Sequence, residues 1–404
     1  MTPQKVLDNL PRTPTVGIMN QKSADPHPTG LPSCVLVSSP FSGNAVFFRR
    51  LNEMFGQQSG LRVMDPIWIE HRPAEALARL PPFRWNWTLA SWIAASRRLR
   101  TLRRRAGDPA VVVFNQLNPL TFLGRLPHRS AIVLAVDATP MQVTAMGSHY
   151  LGRGARAPWI EAAKRSLYRQ AYGRVTRFVA LSESCRRSLV DDYGVDERRV
   201  DTIPPGVDLR RWTRPPNTNR SSDVVKVLFV GGDFERKGGG IVLRAAALDE
   251  FANCEFHIVS RGLSGPSARN VVIHDDVEPT STELVGLYTS ASLFVLPTEA
   301  DFSPNSIVEA MAMGLPVIST SIGAISELVR NDETGFLVAA GDFDAFRSRL
   351  LELVQSASLR FEMGEAARRL AEEQHDLSGQ IEQFAAIIRH ACARDPQVGG
   401  RVAY

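Results

Sequence analysis

The sequence lacks several features that would place it in common classes. It has no run of eighteen apolar residues, so no segment is long and apolar enough to read as a membrane-spanning helix. Its first 31 residues are polar and punctuated by proline, with no apolar stretch before a small-residue cleavage site. They are expected to form a disordered tail, which argues against a signal peptide. The four cysteines (Cys34, Cys185, Cys254 and Cys392) are far apart and show no metal-ligand spacing. That pattern argues against a zinc module and a disulfide framework, and suits reduced thiols in a cytoplasmic protein. No short repeat interrupts the chain. Charge of either sign is scarce in excess: 47 Lys and Arg against 42 Asp and Glu give a net +5. Much of the surplus is local, in Arg97, Arg98, Arg100, Arg103, Arg104 and Arg105. A basic surface favours an anionic partner, whether membrane, nucleic acid or phosphorylated substrate, without choosing among them.

What is present is an alternation of strand and helix patterns. A chain of 404 residues is too long for one ordinary core and suggests two or three domains. From Ser33 onward, β-branched runs are expected as strands at 34–39, 111–114, 131–136, 178–181 and 200–203, with helices such as 44–55, 85–105, 157–172 and 183–193 between them. After Pro204-Pro205-Gly206 and a polar, proline-rich stretch at 213–222, the alternation restarts. Strands are expected at 224–230, 256–260, 271–273, 293–296, 316–320 and 336–338, and helical stretches at 345–355, 359–374 and 379–393 close the chain. Such alternation implies βαβ units around parallel sheets. The expected architecture is α/β: two doubly wound, Rossmann-like domains facing across a cleft. A tail at 1–31 precedes a first domain at 32–205 and a second at 206–378. Residues 379–404 add a helix, free to return to the first domain, and a tail.

Two segments of the second domain carry chemistry. At 227–240 a strand ends in Gly231 and Gly232, and a loop delivers Arg236 and Lys237 just before a helix. Glycines let backbone amides approach phosphate oxygens, and a helix N-terminus attracts anions. The segment has neither the Gly-x-Gly-x-x-Gly dinucleotide spacing nor a P-loop ending. Alone, it also reads as a glycine-rich turn with two solvated cations. At 293–320 a buried strand runs into an acidic loop with Asp301, then Ser303, Pro304, Asn305 and Ser306, then a helix carrying Glu309. Loops at the carboxyl ends of parallel strands form the ligand crevice of such sheets. Ser306 or Asn305 is expected to cap the helix. Glu309 can take both hydroxyls of a ribose and the loop acid can bind sugar hydroxyls, although a capped helix with exposed acids accounts for the isolated pair too.

Taken together with Leu293-Phe-Val-Leu-Pro297, Ile325-Ser-Glu327, Asn331, Gly335-Phe-Leu-Val338, Phe178-Val-Ala-Leu-Ser-Glu183 and Val200-Asp-Thr-Ile-Pro-Pro-Gly-Val-Asp208, these segments resemble the retaining glycosyltransferase family 4, glycosyl transferases group 1. The resemblance spans 178–338 and touches the first domain only through its layout. It implies the two-domain GT-B fold and transfer of a sugar from a nucleoside-diphosphate sugar to a hydroxyl, with retention of configuration. By position, it implies Lys237 on the donor diphosphate and Glu309 on the nucleotide ribose. Asp301 stands where the family usually has its first Glu, and the backbone of 303–306 would cradle the distal phosphate or sugar. Three departures stand out. Gly232 occupies the place of the family's usual arginine, which Arg236 is near enough to replace. Asp301 is one methylene shorter than Glu, with Glu299 close by to substitute. The Asp137-Ala-Thr-Pro140 loop lacks the His that relatives often carry; His149 is the nearest and reads as structural.

In the first domain, Gly43 opens a helix at the loop facing the donor, and Asp137 ends a strand on the cleft side, either meeting acceptor or capping the next turn. The helix at 85–105 puts Trp85, Leu89, Trp92, Leu99 and Leu102 at helical spacing among its arginines. It reads either as a sheet-covering helix or as an amphipathic helix on anionic lipid at the inner face of the cell membrane. The expected partners are a nucleotide-sugar donor and a glycan, lipid-linked or small-molecule acceptor. Nucleic acid, metal and a resident cofactor are not expected. A sugar-nucleotide epimerase or phosphorylase of the same fold, or a non-catalytic nucleotide-sugar-binding relic, are the alternatives.

Overall fold

The computed structural model describes residues 33–38, 51, 61–68, 110–115, 130–147, 158–213, 224–263, 268–279 and 281–393. Within them, twelve strands form two six-stranded sheets whose pairings are all parallel. The first holds β1 (Ser33–Ser38), β2 (Arg62–Trp68), β3 (Val111–Asn115), β4 (Ala131–Val136), β5 (Arg177–Ala180) and β6 (Val200–Thr202), in the order β2-β1-β3-β4-β5-β6. The second holds β7 (Val225–Val230), β8 (Cys254–Val259), β9 (Val271–His274), β10 (Leu293–Leu296), β11 (Val317–Thr320) and β12 (Gly335–Val338), ordered β12-β11-β10-β7-β8-β9. The described helices are α1 (Pro140–Ala145), α2 (Pro158–Tyr172), α3 (Glu183–Asp191), α4 (Gly239–Ala246), α5 (Thr282–Ser290), α6 (Asn305–Ala312), α7 (Ile325–Leu328), α8 (Phe343–Gln355), α9 (Ala357–Gln374) and α10 (Leu377–Ala393). The expected two-sheet α/β architecture is the observed one.

Central strands read as near-continuous apolar runs because both faces of a parallel sheet are covered. The buried stretches Val111–Asn115 and Leu293–Leu296 are of this kind. The edge strand β2 escaped the sequence reading. Its Pro66 cannot donate to a ladder and is tolerated at an edge, where the register against β1 jumps between Val35↔Met64 and Val37↔Ile67. The short α1 was missed as well. Thr139 and Gln142 form a reciprocal capping box around Pro140, which favours a helix start.

The second sheet has its own core, in which Phe229, Phe256 and Phe294 are fully buried. One face of the first sheet is covered by α10. Its Ile381, Phe384, Ala385 and Ile388 recur at helical spacing and cluster with Cys34, Leu36, Val111, Val113, Val133 and Ala135. The chain therefore crosses between lobes twice, and the crossings are tied together. Val207 N–H donates to His375 O (2.9 Å), and Leu377 N–H donates to Val207 O (3.1 Å). Gly206 packs against Gln380: an added Cβ would lie 1.9 Å from Gln380 Oε1 and would require that side chain to move aside. His375 is 1% exposed; its Nδ1 lies 2.8 Å from Pro205 O, and its buried Nε2 has no partner among the described residues. That arrangement fits a neutral ring with its proton on Nδ1. A second proton on Nε2 would be buried without an acceptor.

Burial, partly offset by the bond to Pro205, holds the His375 pKa below its ordinary 6.5. The unfolded chain then takes up a proton more readily than the folded one. Stability is complete above pH 6.5 and is lost as pH falls through 6.5 toward the depressed folded value. The thermal midpoint is expected to drop on acidification from about pH 7 to about pH 5. Part of that slope should vanish in His375→Gln, measured side by side by calorimetry.

Candidate functional site

The order of the second sheet reverses between β7 and β10. That is the switch point at which adjacent crossovers leave to opposite sides and open a crevice beyond the carboxyl ends. Both chemistry-bearing loops leave the sheet there. After β7, Gly231 is held by Val259 O (2.9 Å), and a Cβ on it would meet Lys237 Cβ at 3.0 Å. The lysine stem thus packs directly against glycine backbone. Gly238 takes the left-handed conformation (φ 82°) as it enters α4, and a Cβ there would lie 1.9 Å from Pro297 O. The two loops are therefore in backbone contact. Gly232 is open on all sides.

Arg236 braces the loops together. Its guanidinium donates to Asp233 Oδ2 (3.0 Å) and to Ala300 O, while its own carbonyl accepts Glu299 N–H (2.9 Å) and the Thr298 hydroxyl (3.0 Å). Glu299 is exposed and its backbone is part of this brace. Lys237 Nζ pairs with Asp301 Oδ2, and the two side chains are only 15% and 12% exposed. Asp301 Oδ1 accepts Phe302 N–H at 2.9 Å, so both carboxylate oxygens are occupied.

Ser303 donates its hydroxyl to Asp137 Oδ1 (2.7 Å) and so reaches across from the second lobe to the first. The expected cap on α6 is corrected. The helix begins at Asn305 with Pro304 as N-cap, and proline has no side-chain acceptor to offer. Asn305 and Ser306 are its first two helical residues, one and two places too late for the capping position. Glu309 is 7% exposed, in the second turn of α6. The fully buried Tyr288 places its hydroxyl between Glu309 Oε2 (3.3 Å) and Ser306 O (3.2 Å). Burial first, and then the Glu309 carboxylate, raise the Tyr288 pKa well above its ordinary value, so the hydroxyl keeps its proton to donate.

Gly43, His149 and the helix expected at 85–105 lie outside the described residues. Among the described residues, no group of three or more His, Cys, Asp and Glu side chains is placed to hold a metal, and no helix is long and apolar enough to cross a membrane. Two functional candidates went unnoticed in the sequence. Tyr288 carries no motif of its own, and Glu327 stands only within Ile325-Ser-Glu327. Glu327 in fact crosses the cleft. Its Oε2 accepts Glu183 N–H (2.7 Å) and its Oε1 accepts Ser184 N–H (2.8 Å). An acid in a four-residue helix after a tight glycine turn was the one available signal.

Comparison with known proteins adds an independent line. Residues 225–356 match the model of "Glycosyl transferases group 1", and residues 69–211 that of "Glycosyltransferase Family 4". A D-inositol 3-phosphate glycosyltransferase of Pseudarthrobacter chlorophenolicus is 30% identical over 217 residues, 47% of this chain and 50% of that protein. The chain spans about half the length of the curated relatives it matches. Among solved structures, a sucrose-phosphate synthase from Thermosynechococcus elongatus superposes with a TM-score of 0.70 at 15% identity, covering 90% of this chain and 100% of the other. Anabaena HepE, solved in complex with UDP-glucose, superposes at 0.61 with 14% identity, covering 89% and 99%. At these identities the structures speak to the fold.

The glycine contacts give a stability test. Gly238→Ala combines a positive φ with a collision against Pro297 O and is expected to cost about 2 kcal/mol or more. Gly232→Ala meets nothing within 4 Å and should stay within roughly 0.5 kcal/mol of wild type. Urea denaturation of the two variants checks the contrast.

Proposed function

We propose that this chain, whose two lobes match the glycosyltransferase family 4 and glycosyl transferases group 1 models and whose fold is GT-B, moves a sugar from a nucleoside-diphosphate sugar to a hydroxyl acceptor with retention of configuration. The observation that carries the reading is the pairing of Lys237 with Asp301 at the switch point of the second sheet, with buried Glu309 in the helix that follows. In the absence of donor, each charge serves as counter-ion to the other. On donor binding, Lys237 turns from Asp301 to the diphosphate and offsets the charge that builds as the nucleoside diphosphate leaves. Asp301 is then released to accept hydroxyls of the transferred sugar. Glu309, steadied by the Tyr288 hydroxyl, accepts the two ribose hydroxyls.

Backbone amides of 303–306, including the uncapped first turn of α6, meet the distal phosphate or sugar, since a helix N-terminus favours negative charge. Gly231 and Gly232 let the diphosphate approach the backbone after β7, and Arg236 holds the two loops in register. Asp137 meets the acceptor from the first lobe; Gly43, expected from the sequence to share that role, lies outside the described residues. The diphosphate itself accepts the acceptor's proton on the face it leaves, so the same face is attacked and configuration is kept. The acceptor is a glycan, a lipid-linked sugar or a small molecule. No resident cofactor is needed beyond the donor. The arginine-rich segment 85–105 gives a route to anionic lipid at the cytoplasmic face of the membrane.

Removing one partner of a buried ion pair typically costs about 3–5 kcal/mol, so Lys237→Ala would confuse folding with catalysis. Lys237→Gln keeps a hydrogen-bond donor for Asp301 and is the better variant. Its kcat, measured well below the melting midpoint, is expected to fall by roughly a hundred- to a thousandfold, with the midpoint lowered less than in Lys237→Ala. Turnover at the wild-type rate, across a panel of UDP- and GDP-sugars, would remove Lys237 from the mechanism. Donor conversion with no acceptor present would indicate an epimerase instead.

Glu309→Gln is expected to raise the donor KM by about tenfold or more, since hydrogen bonds to a charged group contribute about 1.5–3 kcal/mol. It should also erase the preference for a nucleoside diphosphate over its 2′-deoxy counterpart. Retention of that preference in direct binding measurements would place the ribose elsewhere.

A further inference from the structure

The loop that carries Asp301 is bound to the first lobe at two points, and only one belongs to the site described above. Ser303 reaches Asp137 at the end of β4. The second point is Glu327. Helix α3 begins with three N–H groups that lack intrahelical partners. Its own N-cap Ser182 satisfies the third, Cys185 N–H, at 3.0 Å. The first two, on Glu183 and Ser184, are satisfied from across the cleft by the Glu327 carboxylate. A carboxylate on two N-terminal amides is favoured by charge assistance and by the helix dipole.

Glu327 is fixed to the donor loop at its other end. The turn that leads into α7 hangs on that loop through Ala324 N–H to Phe302 O (3.0 Å). Gly323 (φ 56°) packs so closely that a Cβ would lie 2.3 Å from Asp301 O. A ring of contacts therefore runs from α3 through Glu327, Gly323 and Ala324 to Asp301–Ser303, and back through Asp137 to the strand under α3. Cys185 closes that ring, donating its thiol proton to Val136 O at 3.3 Å. Burial above all, and then the Asp137 and Glu327 carboxylates, raise its pKa well above the ordinary value, which keeps the thiol protonated as a donor.

We propose that Glu327 is a positioning residue of the donor site: by clasping the N-terminus of α3 from the opposite lobe, it sets the Asp301–Ser303 loop in its working place only when the cleft is closed. The proposal rests on the glycosyltransferase reading for the meaning of "working place", while the clasp itself can be tested without turnover. Its two bonds exist in the closed arrangement alone. Opening the cleft exchanges them for water and releases the turn that supports Asp301 and Phe302.

Two variants attack the clasp from its two sides. Glu327→Ala removes the acceptor. Glu183→Pro removes one of the two donors, and with it the contacts of the Glu183 carboxylate to Arg186 and Thr202, at the first helical position, where proline is well tolerated and where Ser182 (φ −159°, ψ 159°) already has the extended backbone that a following proline requires. Each variant, and the double variant, is measured for melting midpoint, for radius of gyration by small-angle scattering with and without UDP or GDP, for affinity for those nucleotides, and for kcat and KM.

The expected result for Glu327→Ala is a larger radius of gyration that no longer shrinks fully with nucleotide. Its kcat should fall by roughly ten- to a hundredfold, with nucleotide affinity within about threefold of wild type. Glu183→Pro should show a smaller version of the same change, and the double variant should lose no more kcat and no more closure than Glu327→Ala, because both cut the same clasp, while its melting midpoint also carries the loss of the Glu183 contacts to Arg186 and Thr202. Unchanged kcat and radius in Glu327→Ala would overturn the proposal. So would additive losses of kcat in the double variant, or a fall in kcat matched only by a fall in melting midpoint at wild-type radius. If no donor supports turnover and no nucleotide binds, the enzymatic reading fails. The radius of gyration of Glu327→Ala against wild type would then still decide the clasp.

Discussion

The ion pair between Lys237 and Asp301 is the interaction on which the organisation of the second lobe turns. Two charges with about an eighth of their side-chain surface left in water need close partners, because desolvating either alone is costly. The surrounding sequence supplies the conditions. Gly231 lets the lysine stem lie against backbone, and Gly238 lets its loop touch Pro297. Phe302 N–H occupies the second carboxylate oxygen. Arg236 ties the loops together through Ala300 O and its own carbonyl. A ligand with a diphosphate and sugar hydroxyls presents both complementary groups at once, so it can replace the pair without leaving either charge unpaired. That exchange is what makes a buried ion pair at a switch point suited to binding an activated sugar.

The chain's path matters as much as the pair. Because α10 covers a face of the first sheet, the polypeptide must cross between lobes twice, near Pro205–Val207 and near His375–Leu377. The crossings share backbone bonds and pack Gly206 closely against Gln380, which leaves little freedom for the lobes to slide at that place. Relative motion is thereby reduced toward rotation about the paired crossings. Closure that positions reactants and excludes water is most useful when it has few degrees of freedom.

How much of this could be read in the sequence depends on where the determining contacts lie. Strands in the sheet interiors were legible because burial on both faces writes apolar runs directly into the chain, as in Ala131–Val136 and Leu293–Leu296, whose limits were read to the residue. The edge strand β2 was hidden, since an edge permits Pro66 and a register break that a central strand would not. The loops bearing Lys237 and Asp301 stood out through glycine, proline and charge, all local signals. Their pairing did not, because it depends on strand order: β7 and β10 are neighbours in the sheet while β8 and β9 come between them in sequence. Glu327 was the hardest to see. An acid in a four-residue helix carries no local mark of its partner, which is the backbone of a helix more than a hundred residues earlier and therefore blind to side-chain chemistry.

Two of the places where the described lobes meet, the crossings and the Glu327 clasp, differ in what breaking them would cost, and this bears on where the cleft opens. At the crossings, Val207 and His375 are each 1% exposed, and their bonds join buried backbone groups. Separating them would strand donors and acceptors away from water, a penalty of about 1–3 kcal/mol for each group. At the other side, the Glu327 carboxylate and the amides of Glu183 and Ser184 can each be taken up by water once they part. The net loss there is the difference between two good hydrogen-bonded states, which is smaller. The same number of hydrogen bonds thus makes a permanent joint on one side and a releasable clasp on the other. The loop bearing Asp301 is built against the clasp, so the geometry of its carboxylate follows the opening and closing of the cleft.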